Sequence, residues 1–324
     1  YALGNSLERF VLSKGFNEMM FYGNLNTGEQ IPWQASGWSL AADNKTVTIN
    51  IRPGVKWSDG TPFSAHDVVF TLNEINGGGN TQGNLVNVPF ETGAIESIKA
   101  VDDMTVELVQ TVANPRWFWK NFGISHENHV PIMPKHIWDG QDLENFKFYD
   151  LARGWPVHTG AFELISTSPQ QIVMASKDDW WGAESGFWTK TRHVQQLIFA
   201  PTGDATAQSL INGDSETSIL NVGDFLAAKG RNPKLRSWFR EGPIWGPPDG
   251  CTFRFTPNNL RAPWDNPDLR RALQYATDRQ QIVDLALEGS VNVAVLPFAE
   301  YGGVQSYLDP LKDLIASTTR ANTT

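Results

Sequence analysis

The sequence contains a single cysteine, Cys251, among its 324 residues. One thiol excludes an intrachain disulfide framework and any metal site that is built from several cysteines. Cys251 also opens an alternating segment, Cys251–Thr256, that predicts a β-strand. A cysteine within a strand favours packing or ligand lining over nucleophilic catalysis. We therefore expect no chemistry that depends on thiols.

Basic residues are scarce as well. The chain has 26 Lys plus Arg against 35 Asp plus Glu, which gives a formal net charge of −9. A nucleic-acid-binding protein presents clustered basic residues to the phosphates, so this acidic balance argues against nucleic acid as a partner. Hydrophobic residues make up 40% of the chain and charged residues only 19%, a composition typical of a folded globular protein.

Long apolar runs are also missing from the sequence. The best candidate, Val291–Ala299, is short and is interrupted by Asn292 and Pro297, whereas a membrane-spanning helix needs about 20 apolar residues. No signal peptide is recognisable at Tyr1, so we expect any targeting segment to have been removed. The length of the chain predicts two lobes, or one lobe with a large insertion.

Motifs for catalysis or metal binding do not stand out. The segment His126–His129 is rich in histidine, but its spacing does not match the two histidines, one helical turn apart, of a zinc protease. Paired carboxylates such as Asp102 and Asp103 fall at predicted turns, where aspartate caps the local backbone. We therefore expect no metal, no cofactor and no catalytic residue.

Tryptophan, in contrast, is abundant: the chain has 13, beside 18 phenylalanines and 6 tyrosines. An indole ring either fills a core or offers a flat face on which a ligand can stack. We expect most of these rings to lie in the core. Five of them fall in or beside predicted loops, where stacking on a sugar is the alternative; these are Trp33, Trp155, Trp181, Trp188 and Trp245.

Local patterns predict a mixture of hairpins and helices. Thr46–Arg52 alternates apolar and polar residues and forms a predicted hairpin with Trp38–Leu40. Ser64 and Asp67 have the spacing of a capping box, and Val68 and Leu72 continue as an apolar helical stripe. With no regular alternation of strand and helix, the pattern indicates an α/β protein with mixed sheets.

Two further helices are predicted near the end of the chain. Asn266 has the features of an N-cap followed by Pro267, and Thr277 with Gln280 forms a second capping box. The first of these helices has an apolar face that we expect to be buried, made of Leu269, Ala272, Leu273 and Ala276.

The segment Lys56–Phe70, KWSDGTPFSAHDVVF, closely resembles the signature of the extracellular solute-binding proteins, family 5, of peptide-type ABC transporters. This family includes the oligopeptide- and dipeptide-binding proteins. Further segments resemble the family in the same order along nearly the whole chain: Asn26–Pro32, Val101–Val106, Thr159–Phe162, Asp179–Gly182, Cys251–Asn259 and Asn266–Leu273.

The resemblance implies an α/β fold of the periplasmic-binding-protein type (type II, cluster C), with two lobes that close on the ligand and an inserted subdomain. It places the first lobe at residues 1–31 and 153–257 and the inserted subdomain at 32–152. Residues 258–324 correspond to the beginning of the second lobe. Because that lobe continues much further in the family, we expect it to be incomplete in this chain.

The function implied by the resemblance is that of the substrate-binding component of an ABC importer. Such a protein is not an enzyme; it delivers a captured solute to a membrane permease. We expect a monomer that is periplasmic, or extracellular with a lipid anchor in a Gram-positive organism. A di- or oligopeptide is the first expectation for the ligand, and a cello- or manno-oligosaccharide is the alternative. A carbohydrate-active enzyme with a Trp-lined cleft is a remote third.

The resemblance also points to candidate ligand-binding residues. Asp249, Gly250 and Cys251 match a ligand-lining segment of the oligopeptide-binding protein, and Asn221 with Val222 is placed similarly. Plain turn structure is the alternative interpretation of both segments. Trp245 and Trp33 complete the predicted site as aromatic surfaces for the ligand.

Overall fold

A computed structural model describes residues 16, 18–24, 26–76, 94–122, 130–142, 146–201, 203–246, 254–296, 300 and 302–323. The described residues form two compact units. Unit 1 contains those up to residue 201 except 26–27, and unit 2 contains 26–27 and those from 203 onward. Among all the described residues, no helix has the length and apolar character needed to cross a bilayer.

The main sheet of unit 1 has four antiparallel strands in the order β3-β4-β6-β5. These strands are β3 (Ala35–Leu40), β4 (Thr46–Ile51), β5 (Ile95–Asp102) and β6 (Thr105–Gln110). The predicted hairpin is confirmed, since β3 pairs with β4 and the alternating side chains of Val47, Ile49 and Ile51 are buried. A two-stranded ribbon, β1 (Phe21–Gly23) with β2 (Gln30–Pro32), precedes this sheet.

Helix α1 (Ala65–Asn76) packs against β5 and β6. Its predicted apolar stripe is buried, with Val68 and Leu72 fully covered. The carboxylate of Asp67 accepts a hydrogen bond from the backbone N–H of Ser64 at 2.9 Å. The hydroxyl of Ser64 donates to the same carboxylate instead of accepting from the helix. One half of the predicted capping box is therefore formed.

Asp67 also joins α1 to a distant segment. The other oxygen of its buried carboxylate accepts from the backbone N–H of Lys135 at 2.9 Å. One turn further along, the hydroxyl of Thr71 accepts from the N–H of Met133 at 2.8 Å. Two side chains of one helix thus satisfy the backbone of residues 133–135, which would otherwise be unpaired in the core.

The rest of unit 1 surrounds an aromatic core. Its remaining elements are α2 (Trp117–Phe122), α3 (Lys135–Trp138), β7 (Phe162–Thr167), β8 (Ile172–Ser176), α4 (Trp181–Glu184) and β9 (Gln196–Phe199). Strands β7, β8 and β9 form an antiparallel sheet in that order. Beneath it, Phe16 and Met174 form a small second core.

Unit 2 is helical in its described residues. Its helices are α5 (Thr206–Asn212), α6 (Val222–Arg231), α7 (Pro267–Ala276), α8 (Arg279–Ala286), α9 (Gln305–Leu308) and α10 (Lys312–Thr323). Few apolar side chains are buried here; among the described residues they are Leu210, Ala228, Val283 and Leu308.

Three local predictions for unit 2 are wrong. Of the predicted strand Cys251–Thr256, residues 251–253 lie outside the described residues, while 254–256 form no strand and Phe255 is 73% exposed. The N-cap of α8 is Asp278, which accepts from the N–H of Gln281, while Thr277 donates back to the carbonyl of Leu273. The predicted cap of α7 by Asn266 is confirmed, but no residue of α7 is buried.

We predict that Asp67→Ala destabilises unit 1 by about 2 kcal/mol, because two partly buried N–H groups lose their acceptor. Asn73→Ala, at an exposed position of the same helix, should change the free energy of unfolding by less than about 0.5 kcal/mol. Urea unfolding followed by tryptophan fluorescence measures both. Equal losses in the two variants would contradict the anchoring role of Asp67.

Candidate functional site

The predicted site residue Trp33 lies in unit 1, directly after β2. Its half-buried ring meets the ring of Tyr22 edge-on at a centroid distance of 5.0 Å and that of Phe187 at the same distance. The indoles of Trp180 and Trp188 lie at 6.5 and 6.1 Å. Since aromatic neighbours surround this ring, Trp33 is mainly a packing residue.

Arg52 fixes the backbone that carries Trp33. Its guanidinium donates hydrogen bonds to the carbonyls of Pro32, Trp33 and Ala35. The same group lies over the ring of Phe187, 4.2 Å from the centroid. A guanidinium with five donors suits such a task, because it can satisfy several carbonyls at once.

A buried carboxylate, Glu18, lies among these tryptophans. It accepts a hydrogen bond at 2.7 Å from the indole N–H of Trp181. Burial raises the pKa of Glu18 to about 7, against the opposing effect of nearby donors, Trp181 among them. Burial, together with the negative charge of Glu18, also raises the pKa of Tyr22. Near neutral pH, Glu18 is therefore present in both protonation states.

His158 is the second buried titratable group of unit 1. Its ring lies 4.1 Å from that of Phe16, and its Nδ1 has no hydrogen-bond partner among the described residues. Burial, assisted by the positive charge of Lys177, lowers the pKa of His158 to about 3. The imidazole is thus neutral at physiological pH.

Backbone and side-chain hydrogen bonds hold the segment around His158 in place. The N–H of Ser58 donates to the carbonyl of His158 at 2.7 Å, and the N–H of His158 donates to the hydroxyl of Ser58 at 3.2 Å. The next residue, Thr159, accepts from the amide of Gln34 at 2.8 Å and from the indole of Trp180 at 3.0 Å.

A cavity of about 130 Å³ opens beside this segment, lined by His158 and Thr159 and by two ion pairs. Lys56 pairs with Glu184 at 3.1 Å, and Lys177 lies 3.3 Å from Asp179. A cavity of 130 Å³ has room for about four water molecules, and pockets for drug-sized ligands start at about 300 Å³. This cavity therefore suits water better than a peptide or an oligosaccharide.

In unit 2, Asn221 and Val222 lie at the start of α6. The side chain of Asn221 accepts from the N–H of Asp224 at 2.7 Å and donates to its carboxylate at 2.8 Å. Val222 is the first residue of the helix. The Asn221 side chain is thus engaged as a helix cap, which agrees with the alternative interpretation of this segment as turn structure.

Trp245 packs against the same helix. Its ring meets the ring of Phe225 at 5.3 Å, and the Nζ of Lys229 lies 4.4 Å from its centroid, a cation–π distance. The structure thus brings three predicted residues, Asn221, Val222 and Trp245, to one helix. Trp33 lies in the other unit, and Asp249, Gly250 and Cys251 lie outside the described residues.

Within the described ranges, no three His, Cys, Asp or Glu side chains are grouped so that they could hold a metal ion. The histidine-rich segment 126–129 lies outside those ranges. Sequence reasoning missed both Glu18 and His158. No local pattern marks either residue, because their burial depends on partners such as Trp181 that lie far away in the chain.

We predict that Glu18 makes the free energy of unfolding fall as pH rises. Its folded pKa of about 7 exceeds the unfolded value of 4.5, so its contribution is complete below pH 4.5 and is lost as pH rises through 7. The loss is on the order of 3 kcal/mol. In denaturation series from pH 4.5 to 8, the difference in free energy of unfolding between the unmodified chain and Glu18→Gln should shrink by about this amount as pH rises; a difference that does not change with pH would show that the carboxyl is not buried.

We predict that His158 makes the free energy of unfolding rise as pH rises. Its folded pKa of about 3 lies below the unfolded value of 6.5, so stability is complete above pH 6.5 and is lost as pH falls toward 3. This loss is on the order of 5 kcal/mol. In a series extended to pH 3, His158→Gln should flatten the acid limb below pH 4.5. Between pH 4.5 and 6.5, where the contributions of Glu18 and His158 oppose each other, the same variant should expose the fall caused by Glu18. An acid limb that persists in this variant contradicts the assignment.

Known proteins with similar sequences are binding proteins from bacteria. The dipeptide-binding protein of Escherichia coli K12 is 24% identical over 287 residues, which are 82% of this chain and 49% of that protein. A glutathione-binding protein of Pectobacterium atrosepticum is 25% identical over 268 residues, 81% of this chain and 46% of its own length. The chain thus spans about half the length of the curated relatives it matches.

Solved structures confirm the predicted α/β fold of the periplasmic-binding-protein type. A periplasmic oligopeptide-binding protein of Thermotoga maritima superimposes with a TM-score of 0.71 and 22% identity, over 92% of this chain and 53% of that one. Its mannohexaose-bound form gives a TM-score of 0.68 with the same identity and coverage.

The family model covers most of the chain. Residues 29–312 match the bacterial extracellular solute-binding proteins, family 5 middle region. Members of this family are binding proteins of transport systems and not enzymes, which confirms the expectation of a non-enzyme. This chain belongs to the bacterial extracellular solute-binding proteins of family 5.

Proposed function

We propose that the protein captures a di- or oligopeptide outside the cytoplasmic membrane and presents it to the permease of an ABC importer. The family match over residues 29–312 supports a solute-binding role. The single observation that favours a peptide over a sugar is the position of the tryptophan rings, because a sugar-stacking platform needs an indole face that is open to solvent.

The five rings considered for stacking lack such a face. Trp181, expected in or beside a loop, begins α4 and is buried. Trp33, Trp155 and Trp188 pack against the aromatic core of unit 1. Trp245 is half-buried between Phe225 and Lys229. Packing therefore accounts for these five rings.

An oligosaccharide is the second candidate, and two observations favour it. The Thermotoga maritima neighbour, named as an oligopeptide-binding protein, holds mannohexaose in one structure. In unit 2 of this chain, Trp238 is 82% exposed and offers an open indole face. A stacked ring on the C–H face of a sugar leaves its hydroxyls free for hydrogen bonds.

In the proposed mechanism the protein binds its ligand without chemical change. The ligand enters between open lobes, contacts with both lobes stabilise the closed form, and the permease recognises that form. Residues 1–31 and 153–257 form one lobe, 32–152 the inserted subdomain, and 258–324 the start of the other lobe. The protein acts as a monomer in the periplasm, or at the cell surface through a lipid anchor.

We infer that the bound peptide contacts Asp249–Cys251 and the turn at Asn221–Val222. The side chain of Asn221 caps α6, so its contribution to the ligand comes from the backbone. Extended peptides are bound largely through main-chain hydrogen bonds and charge pairing at their termini, and such contacts need no exposed indole.

We predict that tryptophan fluorescence of the native protein, isolated from the cells that make it, shifts in a saturable way with di- to pentapeptides. Cello-, manno- and xylo-oligosaccharides should give no shift. The isolated 324-residue chain should bind the same peptides weakly, because it spans about half of its relatives. A response to sugars only would contradict the peptide assignment, and submicromolar binding by the isolated chain would contradict the two-lobed site.

A further inference from the structure

The cavity of about 130 Å³ in unit 1 has no part in the peptide capture proposed above, yet two residues of its wall carry an unsatisfied polar atom. These atoms are the indole N–H of Trp57 and Nδ1 of His158, which have no hydrogen-bond partner among the described residues. Both residues are covered, with 3% and 2% of their surface exposed. A buried polar group without a partner destabilises a fold. Two such atoms in the wall of one cavity therefore indicate that its occupant supplies the partner.

Local contacts hold both rings in place. The ring of Trp57 lies 5.4 Å from that of Phe63, and the ring of His158 lies 4.1 Å from that of Phe16. The two hydrogen bonds between Ser58 and His158 join the segments that carry these rings. The rings are therefore ordered before a ligand arrives, which lowers the cost of binding one.

The chemistry of the two unsatisfied atoms favours an acceptor as the ligand. The indole N–H of Trp57 can only donate a hydrogen bond. The imidazole of His158 is neutral at physiological pH and carries one N–H, and an acceptor beside Nδ1 favours the tautomer with the proton on that nitrogen. A ligand with several acceptor oxygens satisfies both residues.

Lys177 adds a buried positive charge to the same wall. Its side chain is 11% exposed, whereas its ion-pair partner Asp179, 3.3 Å away, is 72% exposed. Because solvent screens an exposed carboxylate, Asp179 compensates the buried ammonium only in part. The other ion pair of the wall, Lys56 with Glu184, is half-exposed on both sides and has no net charge.

We propose that this cavity binds a small oxyanion, with the ammonium of Lys177, the indole N–H of Trp57 and the imidazole N–H of His158 as its donors. The cavity has room for an anion of about four or five non-hydrogen atoms, such as bicarbonate or phosphate. Hydrogen bonds between an ammonium and an anionic oxygen are stronger than those between neutral groups, so the charge of Lys177 favours an anion over water.

A metal cation and a neutral molecule are poorer occupants. The ammonium of Lys177 repels a cation, and across the described residues no three His, Cys, Asp or Glu side chains are grouped to hold a metal ion. A neutral molecule leaves the charge of Lys177 with only its exposed partner Asp179.

Equilibrium dialysis of radiolabelled inorganic phosphate against the native-length protein at pH 7 tests this proposal. We expect one saturable site per protein. Bicarbonate and sulfate should compete for this site, whereas sodium chloride at the same ionic strength should not, because screening alone does not displace a buried anion.

Two lysine variants provide the matched comparison. Lys177→Met removes the ammonium, keeps a side chain of similar length, and should weaken phosphate binding by about tenfold or more. Lys99→Met makes the same change in an exposed ion pair with Glu107, outside the cavity wall, and should leave the affinity unchanged.

A spectroscopic measurement locates the bound anion without a change at Lys177. The nitrogen-15 signals of the His158 imidazole, identified among those of six histidines by their loss in His158→Gln, should shift with phosphate over the concentration range of the dialysis. This readout also decides the matter if Lys177→Met fails to fold.

Three outcomes would overturn the proposal. The first is the absence of saturable phosphate binding, which would leave water as the occupant of the cavity. The second is the same affinity in Lys177→Met and Lys99→Met, which would reduce the binding to a general effect of charge. The third is an unchanged His158 signal at saturating phosphate, which would place the anion elsewhere.

Discussion

Unit 1 depends on the exclusion of water from a tryptophan-rich core that joins remote parts of the chain. The hydrogen bond from Trp181 to Glu18 connects residues 163 positions apart, and that from Gln34 to Thr159 connects residues 125 positions apart. These buried polar contacts hold the segments that surround the core in one arrangement. The same exclusion of water shifts the pKa of Glu18 upward and that of His158 downward, because a low dielectric disfavours the charged form of both groups.

The tryptophan-rich core of unit 1 also limits which tryptophans are free to bind a ligand. A chain with 13 tryptophans could bind sugars by stacking, but most of its described indoles are buried or packed against the core of unit 1. Rings that already have neighbours on their faces stabilise the fold and cannot also hold a ligand there. Exposed Trp238 offers an open indole face, whereas the peptide contacts that we propose at the turn before α6 come from the backbone.

The sequence was informative where the deciding contacts are local. The β3–β4 hairpin and α1 follow from alternation and helical spacing, and the cap of α7 follows from Asn266. Prediction failed where the partner is remote. Residues 254–256 alternate like a strand but have no strand beside them among the described residues, and the apolar stripe of α7 has no buried residue, although Leu273 is half-buried. The candidate site was predictable only in part: Asn221 and Val222 begin α6 and Trp245 packs against it, whereas Glu18 and His158 owe their burial to long-range packing.

The proposed solute of this family 5 binding protein is a peptide. Native mass spectrometry of the protein, isolated from its own cells without added ligand and then denatured to release what it carries, tests that claim most directly. We expect one bound ligand per protein, and its fragmentation should give the masses of amino-acid residues. Release of hexose or pentose oligomers instead would contradict it and would assign the site to sugars.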